Sequence, residues 1–464
     1  MFLFAINRLS ETSLTQQVYE QIRDGILTRK LKAGEKISST RELAAIIGVS
    51  RNVVLEAYEQ LIAEGYLEVR PRSGTYVAQG SSLQMIADYF KPSFQKEEAC
   101  RESHVYIDFK AGNPAMDHFP RDKWGRLAKE VCHEAPEQVF GYTGAEGAPE
   151  LRNELARYLL RARGVRCHPN QIVITSGATQ ALHLITELLS CEETHIAVED
   201  PVTDEMRTIF SYAGAKVHPV RVDEKGIIPE LLPAEGKPSF VFVIPSHQFP
   251  LGGTLPIQRR VQLIEYARKM DCFIVEDDYD SEFTYEGVPV HSMQGLDSER
   301  VIYVGTFSKI LSPALRIGYA VLPPDLIERF RKLKWFTDRH TSTLEQLVLA
   351  RFIEGGYLDR HVRRMKKIYR ERREALVSCL QKHFADAKIL GQAAGMHLVV
   401  ELSGVHFTEE VMERVKEQGV MVYPVERYAL QKGFHNSQIV MGYGSLTAEA
   451  IEKGVEKLKK ALES

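Results

Sequence analysis

From Val105 to about Leu322, apolar strand-like runs alternate with segments of helical periodicity, and this constrains the fold more than any other feature of the chain. QIVITSG leads into ATQALHLITELL, and HIAVEDP leads into VTDEMRTIFSYAG. SFVFVIP precedes a loop and a helix near 257–270, and CFIVEDDYD and VIYVGTF follow. Such alternation predicts an α/β domain with a mostly parallel or mixed central sheet covered by helices. In such sheets ligands lie outside the strand ends. The unusual polar groups fall there: Ser176 to Gln180, His247 and Gln248, Asp277 to Tyr279, and Lys309.

The run VIYVGTFSKILSPALRIGYAVL (301–322) concentrates this chemistry. A strand-like segment turns at Gly305 and presents Thr306, Ser308 and Lys309, with Arg316 seven residues further on. Burial lowers a lysine pKa, and a neutral amine can form a Schiff base. Thr306, Ser308 and Arg316 can hold a phosphate through hydroxyl hydrogen bonds and a forked cation. An aldehyde that carries a phosphate is pyridoxal phosphate (PLP). A surface lysine following a strand is the plain alternative. Gly177, Ala178 and Thr179 form a small-residue turn opening a helix, where free N–H groups can cradle a phosphate. Asp277 can pair with a pyridinium nitrogen, although a strand-end Asp also serves as a helix cap. Tyr279, with His247 or Gln248, can hydrogen-bond the ring's phenolic oxygen.

The first eighty residues read differently. Leu14, Val18, Ile22, Ile26 and Leu27 predict an amphipathic helix over 14–30. Ser39 or Thr40 caps a short helix, 41–47, with Leu43, Ala44 and Ile47 inward; Ser50 caps a third, 51–64. YLEVRPRSGTYVA reads as two strands joined at 71–74. Two helices joined by a glycine turn and followed by a hairpin make a winged helix-turn-helix. Its second helix would offer Ser50, Arg51 and Asn52 to base edges, an Arg suiting guanine and an Asn adenine. Arg41 and Arg72, with Gly74 in the wing turn, are placed for phosphate or minor-groove contact. Residues 1–80 hold 10 Lys+Arg against 9 Asp+Glu, so a plain helical domain with surface arginines stays open.

Residues 79–104 mix polar and charged residues without a sustained pattern and read as a linker between domains 1–78 and 105–464. The whole chain carries 59 Lys+Arg against 62 Asp+Glu, so no global field points to a nucleic-acid or membrane partner. Six cysteines without a CxxC pair argue against a disulfide framework or a zinc site. No apolar run nears the ~20 residues of a membrane span, and the chain reads as cytoplasmic.

STRELAAIIGVSRNVVLEAYEQLIAEGYLEVRPRSGTYV resembles the winged helix-turn-helix of GntR-type bacterial repressors. GYTGAEGAPELRNELARYL, ITSGATQAL, PSHQFPLGG, VEDDYDSEF and GTFSKILSPALRIGY resemble motifs of the fold-type-I aminotransferases across 105–464. Together they resemble the MocR family of bacterial regulators over the whole chain. The resemblance implies an α/β aminotransferase fold of type I with an N-terminal winged helix-turn-helix domain. It implies Lys309 as the Schiff-base lysine, Asp277 on the ring nitrogen and Tyr279 on the ring oxygen. Around the phosphate it implies Ala178, Thr179, Thr306, Ser308 and Arg316. It also implies a homodimer, with a head-to-tail exchange of DNA-binding domains as one arrangement.

Two departures bear on function. Where many relatives carry a tyrosine that stacks on the cofactor ring, this chain has Thr203. Where aminotransferases place a strand arginine for the substrate carboxylate, QIVMGYGSL has Val440, and Arg427 is the nearest substitute, resembling a position used by some members. Both losses suit binding more than turnover. The expected function is a regulator of a double-stranded DNA operator, sensing an amine or amino acid by aldimine exchange at Lys309. A working aminotransferase with an accessory DNA-binding domain is the rival, and PLP itself as the effector is a third reading.

Overall fold

The computed structural model describes residues 4–10, 12–81, 106–190 and 194–463. Most of the segment read as a linker lies outside them. The chain divides into two compact units, Met1–Ser103 and His104–Ser464.

In the first unit, the helix Leu14–Leu27 stops three residues before its periodicity predicts, because Arg29 adopts a left-handed backbone (φ 59°). Of the two candidate caps for Thr40–Ile47, Ser39 is the one used. It accepts from Glu42 N while the Glu42 side chain accepts from Ser39 N, a reciprocal capping box. Gly48 ends that helix at φ 69°, where a Cβ would be strained. Ser50 caps Arg51–Ala63 by accepting from Val53 N. Val18, Ile22, Ile26, Leu43, Val54, Leu61 and Val77 fill the core, whereas Ile47 is only half-buried. Each such side chain, fully removed from water, contributes roughly 1.5–3 kcal/mol. Leu67–Arg70 and Gly74–Val77 form the antiparallel hairpin, with Arg70 opposite Gly74.

The second unit is built on an eight-stranded mixed sheet. Its order is Ile172–Thr175, Gly318–Val321, Val301–Thr306, Phe273–Asp278, Phe240–Val243, His195–Asp200, Lys216–Asp223, Gly226–Ile227. The four strands from Val301–Thr306 to His195–Asp200 run parallel, and Lys216–Asp223 continues them. Gly318–Val321 is antiparallel to both its neighbours, so Ile172–Thr175 points the same way as the parallel set. The carboxyl ends of five strands, at Thr175, Asp200, Val243, Asp278 and Thr306, therefore share one edge. On one face Val173, Val198, Phe242, Val275 and Ile302 pack against Leu182, Ile185, Phe210 and Phe330 of the covering helices. A smaller four-stranded sheet, ordered Lys388–Leu390, His397–Glu401, Gln438–Gly442 and Tyr423–Pro424, follows the long helix Tyr357–His383. Among the described residues, no helix is long and apolar enough to cross a membrane.

Candidate functional site

The shared strand edge gathers the polar residues singled out in the sequence. Lys309 follows Val301–Thr306, a strand buried along its whole length. Its Nζ is half-enclosed and donates to Gly112 O at 2.8 Å; a Cβ at Gly112 (φ 78°) would lie 3.0 Å from that nitrogen. Burial lowers the Lys309 pKa, against the opposing pull of Glu205, Asp280 and Asp277. On the next strand, in register with Val304, lies Asp277. It is 5% exposed, and its Oδ1 has no hydrogen-bond partner. Burial, reinforced by Asp278 and Asp280, pushes its carboxyl up to about 7.

Thr306 donates to Ser308 Oγ at 3.0 Å and accepts from Ser308 N at 3.1 Å, so the two hydroxyls stand together. Gly318 is paired with both Thr306 and Thr175, and this carries Arg316, two residues earlier, across to the turn at 176–178. Arg316 is exposed, takes a left-handed backbone (φ 49°) and donates through Nη2 to Ser176 O at 2.5 Å. A Cβ at Gly177 (φ 97°) would lie 2.8 Å from that guanidinium. Glycine thus lets the cation rest against the start of the helix Ala178–Leu189, whose first residues are Ala178 and the exposed Thr179.

Other residues have different surroundings. Gln248 is fully buried and turned to its own loop: Nε2 donates to Pro201 O and Phe249 O, and Oε1 accepts from Leu251 N. His247 Nδ1 lies 3.2 Å from Asp280 Oδ2 and 3.4 Å from the Tyr279 hydroxyl. His247, Asp280 and His397 bring three potential metal-ligand atoms within 4.8 Å of one another. His397 Nε2 lies 3.0 Å from Pro250 O, and burial together with His247 lowers its pKa to about 3. Thr203 caps the helix Asp204–Tyr212 by accepting from Met206 N. Val440 is buried in its sheet between Val399 and Tyr423. Arg427 is largely exposed, and its Nε donates to Asp204 Oδ2 at 3.2 Å.

The sequence reading passed over Glu199, Asp280, His397, Asp204 and Glu205. Glu199 is buried, accepts from Ile244 N, leaves Oε1 unpartnered and is pushed by burial to about 8. An acid closing the apolar run HIAVE was the available hint. In the first unit, Arg41, Ser50, Arg51, Asn52, Arg72 and Gly74 are all exposed. Arg72 sits at the hairpin turn in a left-handed conformation (φ 64°).

Residues 104–458 match the family model for aminotransferase class I and II, and residues 14–77 match that of bacterial regulatory proteins, gntR family. An HTH-type transcriptional regulator of Bacillus subtilis, YdeL, is 34% identical over 98% of each chain. The probable rhizopine catabolism regulatory protein MocR of Rhizobium meliloti is 34% identical, over 99% of this chain and 96% of its own. The crystal structure of a multiple substrate aminotransferase from Thermococcus profundus superposes with a TM-score of 0.72 at 29% identity, covering 78% of this chain and 92% of its own. The large unit therefore has the fold-type-I aminotransferase architecture, and the chain belongs to the MocR-type family of helix-turn-helix transcriptional regulators that carry an aminotransferase-like domain.

Proposed function

We propose that this regulator is PLP-dependent and senses an amine or amino acid at Lys309. The observation that carries the reading is the meeting, at one sheet edge, of a lysine with lowered pKa and a buried aspartate with an unpartnered oxygen. When bound, PLP supplies an aldehyde that condenses with a primary amine. The residues fit it. The lowered pKa favours the unprotonated, nucleophilic form of Lys309. Asp277 would hold a protonated ring nitrogen, which would supply the counter-charge that its buried carboxyl lacks and keep it ionised. Ala178 and Thr179 at their helix start, the Thr306 and Ser308 hydroxyls, and Arg316 would take the phosphate. Tyr279, with His247 behind it, would face the phenolic oxygen, while the side-chain donors of Gln248 are already engaged. Arg427 is the proposed contact for an effector carboxylate.

The DNA partner would be read by Arg51 and Asn52 from the capped helix start, with Arg41 and Arg72 on the backbone. A homodimer would present two such heads to paired half-sites. A ligand regulates only if it binds one arrangement of those heads better than another. Thr203 as a cap and Val440 in a packed sheet support binding over turnover. The aminotransferase fold keeps the catalytic alternative in view, and sustained keto-acid release from an amino donor would favour it.

Lys309→Ala should abolish the cofactor's visible absorbance band with far-UV circular dichroism unchanged; a persisting band refutes the assignment. Arg51→Ala should weaken binding to a DNA site selected from a random pool by about 1–3 kcal/mol and relax sequence preference. Arg72→Ala should weaken all sequences alike and flatten the salt dependence. The sensing role fails if amines that shift the band leave DNA affinity unchanged.

A further inference from the structure

Behind Tyr279, the side chains of His247 and Asp280 are bonded to each other, and each residue is 1% exposed. Three neighbouring strands, Phe240–Val243, Phe273–Asp278 and Val301–Thr306, end side by side, with Val243 paired to Glu276 and Gly305 to Asp278. The segments that leave them bring His247, Tyr279 with Asp280, and Lys309 to one edge. Asp280 Oδ2 lies 3.2 Å from His247 Nδ1. The Tyr279 hydroxyl lies 3.4 Å from the same nitrogen and donates to His247 O at 3.3 Å. A carboxylate only accepts, so Nδ1 is the donor to Asp280 and carries the ring proton. His397, tilted against His247 with ring centroids 4.8 Å apart, is occupied with Pro250 O.

The pair is held in place by Gly395. A Cβ there (φ 79°) would lie 2.3 Å from His247 Nδ1 and 2.6 Å from Asp280 Oδ2. Gly395 O accepts from the hydroxyls of Tyr285 and Tyr443 at 2.6 and 2.8 Å, which fixes this backbone against the pair. The arrangement sets the direction of the Tyr279 hydroxyl. While Nδ1 carries the ring proton it cannot accept, and the hydroxyl hydrogen keeps only its long bond to His247 O. A closer acceptor on a ligand can take it. With the proton on Nε2 instead, Nδ1 would be an acceptor within reach and would draw the hydrogen away. His247 Nε2 has no hydrogen-bond partner, so Asp280 is the group that fixes the proton on Nδ1.

We propose that Asp280 is a positioning residue: by keeping the His247 proton on Nδ1, it directs the Tyr279 hydroxyl hydrogen to the phenolic oxygen of the bound cofactor. The proposal rests on the reading of the Lys309 site as a PLP site and adds the groups that orient its tyrosine. Besides His247, the ionisable groups acting on Tyr279 are Asp280 and Asp277 beside it and Glu199 from the strand His195–Asp200.

The test follows the pH midpoint of the visible band in the cofactor-loaded, full-length protein. A donor on the phenolic oxygen weakens that oxygen's hold on the Schiff-base proton beside it. Tyr279→Phe should therefore raise the midpoint by roughly one to two units. Asp280→Ala removes an anion as well as an acceptor, and losing the anion alone lowers the midpoint. A double-mutant cycle separates the two contributions. Asp280→Ala should shift the midpoint upward by about one unit more in the Tyr279 background than in Tyr279→Phe. Equal shifts in the two backgrounds overturn the proposal and leave the cofactor site standing, whereas a wild type that forms no band overturns both. Neutron diffraction from crystals of the loaded wild type gives an answer without any variant. Deuterium on His247 Nδ1, with the Tyr279 deuterium aimed at the cofactor, is the expected result; a Tyr279 deuterium aimed at Nδ1 overturns the proposal.

Discussion

The two faces of the strand Phe273–Asp278 carry acids of opposite character. On one face, Glu276 accepts from the Ser292 hydroxyl at 2.6 Å and from Met293 N and Gln294 N. Asp278 Oδ2 on that face accepts from Arg163 Nε and from the Tyr303 hydroxyl, each at 2.6 Å. On the other face, Asp277 forms no ion pair with any described residue; its Oδ1 has no partner, as is also true of Asp278 Oδ1, but Asp278 has Arg163 and Asp277 has no cation. The three are consecutive and all buried, so sequence proximity and burial do not distinguish them. What distinguishes them is whether the fold supplies the counter-charge. An acid already paired by the fold is part of the framework, whereas one left unpaired inside costs stability and points to a ligand that completes it.

The largest effect should come from Asp278→Asn. It leaves the Arg163 guanidinium buried without its anion, a change that typically costs about 3–5 kcal/mol, measurable by urea denaturation. Asp277→Asn should act in the reverse direction. Asp277 titrates near 7 when folded and near 3.8 when unfolded. Between those values the folded state keeps a proton that the unfolded state has released, so stability falls as pH rises and levels off above 7. In the cofactor-free protein, Asp277→Asn should match wild type below pH 4 and exceed it by roughly 2–4 kcal/mol above pH 7. The same variant should load PLP more weakly. If Asp277→Asn destabilises as much as Asp278→Asn at neutral pH, the contrast between the faces collapses. The smallest effect belongs to Ser292→Ala. Glu276 keeps two backbone donors there, so the loss should be about 1–2 kcal/mol in the same melts.

Local chemistry was the legible part of this chain. Ser39 and Ser50 announce their helices because a cap acts within three residues, and the alternation from 172 to 322 predicts the sheet because burial imposes its own period. The strand-end position of Lys309 was legible for the same reason. Long-range pairing was not. Arg163 and Asp278 are 115 residues apart, and nothing in either neighbourhood marks the bond. Gln248 looked available for a ligand because its partners, Pro201 O and the carbonyl of its own loop, exist only once the edge is assembled. Thr203, noticed as a missing tyrosine, caps a helix, a role that a stacking residue obscures when the family pattern is the reference. The early stop of the first helix at Arg29 escaped notice because its apolar spacing continues past the backbone reversal.

If Arg427 takes an effector carboxylate as proposed, the Asp204–Arg427 ion pair would make the protein its own competitor. A carboxylate arriving at Arg427 would compete with one already held at its Nε, so its apparent affinity would be the intrinsic one scaled by the fraction of time that the guanidinium is free. That fraction would depend on Asp204, which also holds Arg207, and not on Lys309 or the helix Arg51–Ala63. On this reading, the concentration at which such a ligand registers would drift through substitutions at 204 or 207 alone, resetting a detection threshold while the chemistry at Lys309 stayed fixed.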